Sequence, residues 1–399
     1  MIEFPSPRRP RVSVLIVTYG GWTWTERALG ALRSHTELPY EVVIVDNASP
    51  DETPDRLRED VRGAELVLNK RNEGFGPANN AAAERAQGEL LVLLNPDALV
   101  GPGWIEPLIE TLERDAGIGA VVPRLLDPDG TVQEVGSIVW ADGSTWAVGA
   151  GAVPEDPAHR FRRSVDYGSA ACLLIRRETF RRVGGFHPAY SPAYCEDVDL
   201  ALALGAAGLR VEVDPRSEVV HVRFGTVGRN AAARLIRRNR RVLVHRWGAT
   251  LAEHPRPYRP ERPHRVWAGR DREAVERILV VGERPDQTLL PALGRGYGRV
   301  TMLCERAPSA APELDRLLDA GIEVAAAPDA GRWLRDRRFH YSAVVLLGAR
   351  PEIRQALADS QPQAELLEEE VPARPERVLA ALEAADILAE PAGDRKVVR

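Results

Sequence analysis

The sequence predicts a doubly wound α/β sheet followed by a second, smaller Rossmann-like α/β domain. Three observations predict it. Apolar runs alternate with helical-period segments over the first 120 residues, the same alternation resumes near residue 277, and a proline-rich polar stretch separates the two.

In order along the chain, RVSVLIVTY (11–19), EVVIVDN (41–47), AELVLN (64–69) and ELLVLLN (89–95) read as strands. Their near-continuous, β-branched apolar character is that of parallel strands covered on both faces. WTERALGALRSH, DETPDRLREDV and GPANNAAAERAQ between them have helical periodicity and first-turn residues. From about 123 to 170, short strand-like pieces with the turn signals DPDG (127–130) and ADGS (141–144) predict an antiparallel excursion. There follow the strand ACLLIRR, the helices ETFRRVG and DVDLALALGAAG, and the strand RVEVD. Residues 219–252 contain no acid and carry seven arginines between 229 and 246, which predicts a basic helix. HPRPYRPERPHR (254–265) reads as a semi-rigid linker. The expected organisation is a flexible tail (1–10), a main α/β domain (11–250), a Pro/Arg-rich linker (251–271), a Rossmann-like domain (272–390) and a charged tail (391–399).

Composition excludes some functions. A formal net charge of −5 over 399 residues argues against a general nucleic-acid binder. No run approaches 18 apolar residues and the N-terminus has no apolar core of a signal peptide, so neither a membrane span nor a leader is expected. Cys172, Cys195 and Cys304 show no paired or metal-type spacing, which suits a reducing cytoplasm.

Ligands bind doubly wound sheets outside the carboxyl ends of the strands, and each end here is polar: Thr18 and Tyr19, Asp46 and Asn47, Asn69, then Asn95 and Asp97. Asp46 suits a ribose or base contact, or a cap in the turn DNASPDET. NKRNEGFGPANN (69–80) is glycine-punctuated and precedes a helix, so its backbone could approach a phosphate or sugar. In Asn95-Pro96-Asp97 the proline must end the ladder and aims the next side chain off the sheet edge. A carboxylate there suits a hard divalent cation sharing phosphate oxygens, or a cap for the helix that follows. Glu196, Asp197 and Asp199 crowd a helix's first turn. The dipole stabilises them, while mutual repulsion raises at least one pKa and creates a usable base. His221 ends a short apolar strand as a core residue or a ligand.

In order, LIVTY, VVIVDNAS, RNEGFGPANNAA, LLLNPD, ACLLIRRETFRRVGGF and EDVDLALALGAAG closely resemble the inverting nucleotide-sugar glycosyltransferases of family 2, with the GT-A fold. The nearest likeness is to bacterial members that add rhamnose and related sugars to cell-surface polysaccharides, and it covers about 11–250. The resemblance implies that Thr18, Tyr19, Asp46 and Asn47 hold the nucleoside, with Asn72, Asn80 and Asn95 in the donor pocket. Asp97 falls on the last acid of the family's Asp-x-Asp motif, and His221 on the histidine that completes the metal site (Mn²⁺ or Mg²⁺). Asp197, paired with Glu196, falls on the catalytic base. Gly185, Phe186 and Asp199 fall on the acceptor side, and Arg223 or Arg229 on the segment that closes over the diphosphate.

The implied donor is a UDP-, dTDP- or GDP-linked sugar and the acceptor a glycan or lipid-linked saccharide. The implied place is the cytoplasm, with peripheral contact at the inner membrane face. The second domain resembles the N-terminal half of the GT-B glycosyltransferases. A sugar nucleotidyltransferase is the alternative enzyme, opposed by the absence of lysine from TYGGWTWTER. A catalytically inactive glycan-binding scaffold is the alternative raised by Asn95 in place of the first acid.

Overall fold

The computed structural model describes residues 1–223 and 229–257, then 266, 269–271, 276–286, 288–294, 299–304, 311–327, 329–337, 340–348, 351–369, 371 and 373–385. The chain forms two compact units: residues 1–154 with 164–257, and residues 155–163 with 258–399. The exchange of 155–163 into the second unit has no counterpart in the linear organisation expected from the sequence. The expected tail 391–399, and residues 258–265 and 267–268 of the expected linker, lie outside the described residues.

The first unit is built on a ten-stranded mixed sheet. Its strands are β1 (Val12–Thr18), β2 (Tyr40–Asp46), β3 (Glu65–Leu68), β4 (Leu90–Leu94), β5 (Ala98–Val100), β6 (Ile118–Leu126), β7 (Val132–Glu134), β8 (Arg163–Val165), β9 (Cys172–Arg176) and β10 (Arg210–His221). The order is β8-β10-β6-β9-β4-β1-β2-β3, with β5 on β10 and β7 on β6. β1 pairs in parallel with β2 and β4, and β9 runs antiparallel to both β4 and β6. This is the doubly wound mixed sheet of the expected GT-A class.

Helices α1 (Trp22–His35), α2 (Thr53–Asp60), α3 (Phe75–Arg85), α4 (Glu106–Arg114), α5 (Arg177–Arg182), α6 (Glu196–Ala206) and α7 (Arg229–Ala252) belong to the same unit, with two small two-stranded sheets, Ile2–Glu3 on Val61–Arg62 and Ser137–Val139 on Thr145–Ala147. Every residue of β1 is buried because successive side chains enter different cores. Val12, Val14 and Ile16 pack with Leu29 and Leu32 of α1 and Leu108 of α4, whereas Leu15 and Val17 pack with Ala78 and Ala82 of α3 and Leu204 of α6.

Two strands run further than the sequence suggests. β6 continues through Pro123, where an excursion of short pieces was expected to begin. β10 extends from the expected RVEVD to His221, with a register shift between Asp214 and Glu218. Pro215 lies in that shift. It has no N–H for the ladder, so the slip accommodates it and pairing resumes beyond.

The second unit contains a five-stranded parallel sheet of β11 (Arg277–Gly282), β12 (Arg299–Cys304), β13 (Glu323–Ala326), β14 (Ala343–Leu347) and β15 (Glu365–Glu369), in the order β13-β12-β11-β14-β15. Charges are buried within it. Arg270 reaches Asp271 and Glu323 at 2.8 and 2.7 Å, and His340 Nε2 lies 3.0 Å from Asp271. Phe161, from the exchanged segment, lies beneath the guanidinium groups of Arg163, Arg270 and Arg299 at 5.1, 5.5 and 5.1 Å.

Candidate active site

The turn Asn95-Pro96-Asp97-Ala98 closes with Ala98 N donating to Asn95 O at 3.1 Å. It is tied to β9 by Asn95 N donating to Ala171 O at 2.8 Å. The chain then enters β5, whose antiparallel pairing with β10 sets Ala98 opposite His221, and Val222 N donates to Asp97 O at 3.1 Å. This pairing brings together residues more than 120 apart in sequence: His221 Nε2 lies 3.4 Å from Asp97 Oδ1 and 3.3 Å from Asn95 Nδ2. Asn95 Oδ1 is buried without a hydrogen-bond partner. A carboxylate, an imidazole nitrogen and an unpaired amide carbonyl form a donor set suited to a divalent ion that accepts both oxygen and imidazole. Among the described residues no group of three His, Cys, Asp or Glu side chains forms a ready-made metal cluster.

The acids of α6 are the other group expected in the site. Tyr194 and Cys195, directly before the helix, both adopt left-handed backbone conformations, with φ of 79° and 70°. Such residues persist only where their surroundings hold them. Asn239 of α7 does so, since its buried amide donates to the carbonyls of Tyr190, Ala193 and Tyr194 at 2.8, 2.9 and 2.8 Å. Burial raises the pKa of Glu196, and the neighbouring Asp197 charge adds to the rise. Asp197 is raised by burial too, against hydrogen bonds from the backbone of Val198 and Ala170. Burial, more than the repulsion expected from three crowded acids, makes this carboxylate a proton acceptor nearer to neutral pH.

Glu134, at the end of β7, accepts from Ser169 N at 3.0 Å. Consecutive amides, of Ser169 and Ala170, therefore hold Glu134 and Asp197. Burial is the main reason the Glu134 carboxyl is raised to about 7; hydrogen bonds from Ser169 and Ser137 oppose the rise, the Asp197 charge adds to it and His221 works against it.

The residues expected on the donor side lie at the carboxyl ends of β1 and β2. Thr18 Oγ1 donates to Asp46 Oδ2 at 3.0 Å, and Asp46 also accepts from Ser49 N at 3.1 Å, while the Tyr19 ring is exposed. Asn47 is the hub of the glycine-rich segment: its Oδ1 accepts from Asn69 Nδ2 and Glu73 N, both at 3.0 Å, and its Nδ2 donates to Asn72 Oδ1 at 2.9 Å. Asn80 spends its whole amide on Phe186, with Nδ2 donating to Phe186 O at 2.8 Å and Oδ1 accepting from Phe186 N at 2.9 Å. Gly185 has φ of 62°, and a Cβ there would stand 2.5 Å from Asn80 Oδ1, which explains why GGF needs its second glycine.

Asp199 is buried, and its Oδ1 accepts from Tyr190 Oη, Arg246 Nε and Trp247 Nε1 at 2.8, 2.9 and 2.7 Å. This carboxylate ties α6 to α7. Arg223 is engaged by Asp127, at 2.7 and 2.6 Å from its two oxygens. The Arg229 side chain and residues 224–228, expected to close over a diphosphate, lie outside the described residues.

Sequence reasoning missed Gln133, Glu134 and Asn239. For Asn239 a signal exists: Ala232, Leu235, Asn239 and Leu243 follow helical spacing along the face α7 turns inward, so a polar residue interrupts an apolar stripe. Gln133 and Glu134 lie in an ordinary alternating run and carry no such mark.

The chain is similar to known glycosyltransferases. Over 255 residues the chain is 32% identical to the N-acetylglucosaminyl-diphospho-decaprenol L-rhamnosyltransferase of Mycobacterium tuberculosis, spanning 58% of this chain and 82% of that protein. An O-antigen biosynthesis protein of Myxococcus xanthus is also 32% identical, over 55% of this chain but 18% of its own length. A mannosyltransferase from Pyrobaculum calidifontis, solved with GDP-Man and Mn²⁺, is 23% identical and covers 62% of this chain and 66% of its own, with a TM-score of 0.43, too loose an overlap for its ligands to bear on this site. Residues 13–184, which carry both strand-end loops and the Asn95-Pro96-Asp97 turn, match the glycosyl transferase family 2 profile, and with the rhamnosyltransferase likeness this establishes that the chain belongs to that family.

Proposed function

We propose that this glycosyltransferase moves a sugar, with inversion, from a nucleoside-diphosphate donor to a hydroxyl of a glycan or lipid-linked acceptor in cell-surface polysaccharide synthesis. The observation that carries the reading is the Asp97–His221 pair beside the unpaired Asn95 carbonyl, in a chain that also buries a base-competent acid pair at the start of α6. The 32% identity to a transferase whose name specifies a decaprenol-linked acceptor supports the lipid-linked class and a deoxyhexosyl donor.

Asp97, His221 and Asn95 are the residues that would hold a divalent cation. Bound there, Mn²⁺ or Mg²⁺ would neutralise charge on the departing diphosphate. Asp197 accepts the proton of the attacking hydroxyl as its oxygen bonds to the anomeric carbon and the bond to the diphosphate breaks, and general-base help of this kind is worth ~10²- to 10⁴-fold. Glu196, protonated more readily than an ordinary glutamate, stays beside Asp197 without adding a second charge to the site. Thr18, Tyr19 and Asp46 shape the nucleoside end, and Asn47 with Asn72 fixes the loop along the donor. We assign Asn80, Gly185 and Phe186 to shaping that loop, and Asp199 to holding α6, instead of to substrate contact.

We place the reaction in the cytoplasm, at the inner membrane face. No described helix is long and apolar enough to cross a membrane, and α7 exposes Arg234, Arg237 and Arg241 beside Ile236 and Val244, a face suited to anionic lipid. The second unit is assigned to acceptor docking.

Incubation with UDP-, dTDP- and GDP-sugars, Mn²⁺ or Mg²⁺ and a lipid-diphosphate saccharide tests the reading. Acceptor-dependent release of nucleoside diphosphate and a product of inverted anomeric configuration are expected. Pyrophosphate release would indicate nucleotidyl transfer, and binding without turnover a scaffold.

A further inference from the structure

We infer that Gln133 is a positioning residue that locks His221 as the Nδ1–H tautomer, so that the Nε2 lone pair is offered to the metal site. The inference rests on the metal reading above and concerns a residue outside the donor set. Gln133 is 5% exposed and sits on β7 behind the histidine. Its Nε2 donates to His221 O at 2.8 Å and to Asp127 Oδ1 at 2.9 Å. Both partners can only accept, since one is a carbonyl and the other a carboxylate held by the Arg223 guanidinium. The amide therefore cannot be turned over without setting oxygen against two oxygens.

The orientation leaves Gln133 Oε1 facing His221 Nδ1 at 2.7 Å, and an acceptor at that distance requires the proton on Nδ1. In the neutral ring the other nitrogen is then unprotonated, and it is the one beside Asn95 and Asp97. The four residues form one chain of hydrogen bonds: Arg223 and the Gln133 amide both donate to Asp127, and His221 Nδ1–H donates to Gln133 Oε1. Such outer partners fix the ring and tautomer of metal-binding histidines, and losing one costs about 10- to 100-fold in metal affinity.

Two measurements on the full-length protein test this. The first is the imidazole ¹⁵N spectrum at a pH where the ring is neutral, with the His221 signals identified by their loss in His221→Asn. It needs neither metal nor a core variant. The Nδ1–H pattern is expected, and an Nε2–H pattern overturns the inference. The second is calorimetric titration of Mn²⁺ into wild type and Gln133→Met. The variant is expected to lose the fixed tautomer and bind Mn²⁺ about 10- to 100-fold more weakly. Retention of tautomer and affinity in the variant overturns the role of Gln133. A wild type that binds no Mn²⁺ overturns the metal reading alone, and the tautomer spectrum still decides the role of Gln133.

Discussion

Replacing Asn239 by alanine tests how the catalytic turn is held. The side-chain amide is fully buried and donates to three carbonyls of the segment 190–194. A buried acceptor left without its donor costs ~1–3 kcal/mol, and with two amide hydrogens shared among three carbonyls the loss is on the order of 2–5 kcal/mol. Tyr194 and Cys195, in left-handed conformations, store roughly 1–3 kcal/mol each that the clamp no longer opposes, so the turn relaxes. Asp197 begins two residues later. A displacement of about 1 Å at a reacting group lowers rate by ~10²-fold. The expected result is a lower melting temperature and a kcat reduced by about that factor, with a smaller loss of donor affinity, since Pro192 O in the clamped segment accepts from Phe75 N at the end of the glycine-rich loop at 2.7 Å. Thermal unfolding, single-turnover kinetics and donor titration read these quantities. An Asn239→Ala enzyme as stable and as fast as wild type would refute the reasoning.

Other consequences can be measured directly. Because folding raises the Glu134 pKa from 4.5 to about 7, the folded state binds more protons than the unfolded one, and its ionisation costs stability as pH climbs through that range and costs nothing below it. The full shift corresponds to ~3 kcal/mol and residual contact with water reduces it to roughly 2 kcal/mol. Glu134→Gln should therefore be the more stable protein above about pH 7 and equal to wild type near pH 4, and parallel urea-unfolding profiles would contradict this. Chelation should abolish most turnover while leaving the melting temperature nearly unchanged, and His221→Ala should abolish it too but lower the melting temperature, since the buried Gln133 Oε1 loses its donor; Mn²⁺ should restore only the chelated wild type. Wild type should float with anionic vesicles but not neutral ones, and substituting Arg234, Arg237 and Arg241 together by glutamine should end flotation without altering turnover on a water-soluble acceptor analogue.

Much of the main sheet was legible because strands covered on both faces leave an unmistakable apolar run, and β1, β2 and β4 follow those runs closely. β6 crosses Pro123, where short antiparallel pieces were expected, and β10 runs beyond the expected RVEVD because parallel pairing with a register shift accommodates Pro215. The Asp97 and His221 pairing was accessible only through family likeness, since the β5–β10 ladder that creates it spans more than 120 residues of sequence. Asn80 and Asp199 show the opposite limit. Polar residues in motifs near a site look like ligand contacts in sequence, yet here their hydrogen-bonding capacity serves Phe186, Tyr190, Arg246 and Trp247. The capture of Phe161 by the second unit was illegible because three of the contributing side chains, Phe161, Arg270 and Arg299, come from distant segments.

The central claim is that Asp197 removes the acceptor proton at a site whose donor end is built separately. Single-turnover transfer by Asp197→Asn, measured at donor saturation alongside donor affinity, tests it most directly. Unchanged donor affinity with transfer slowed by ~10²- to 10⁴-fold is predicted, and near-normal transfer would contradict the assignment.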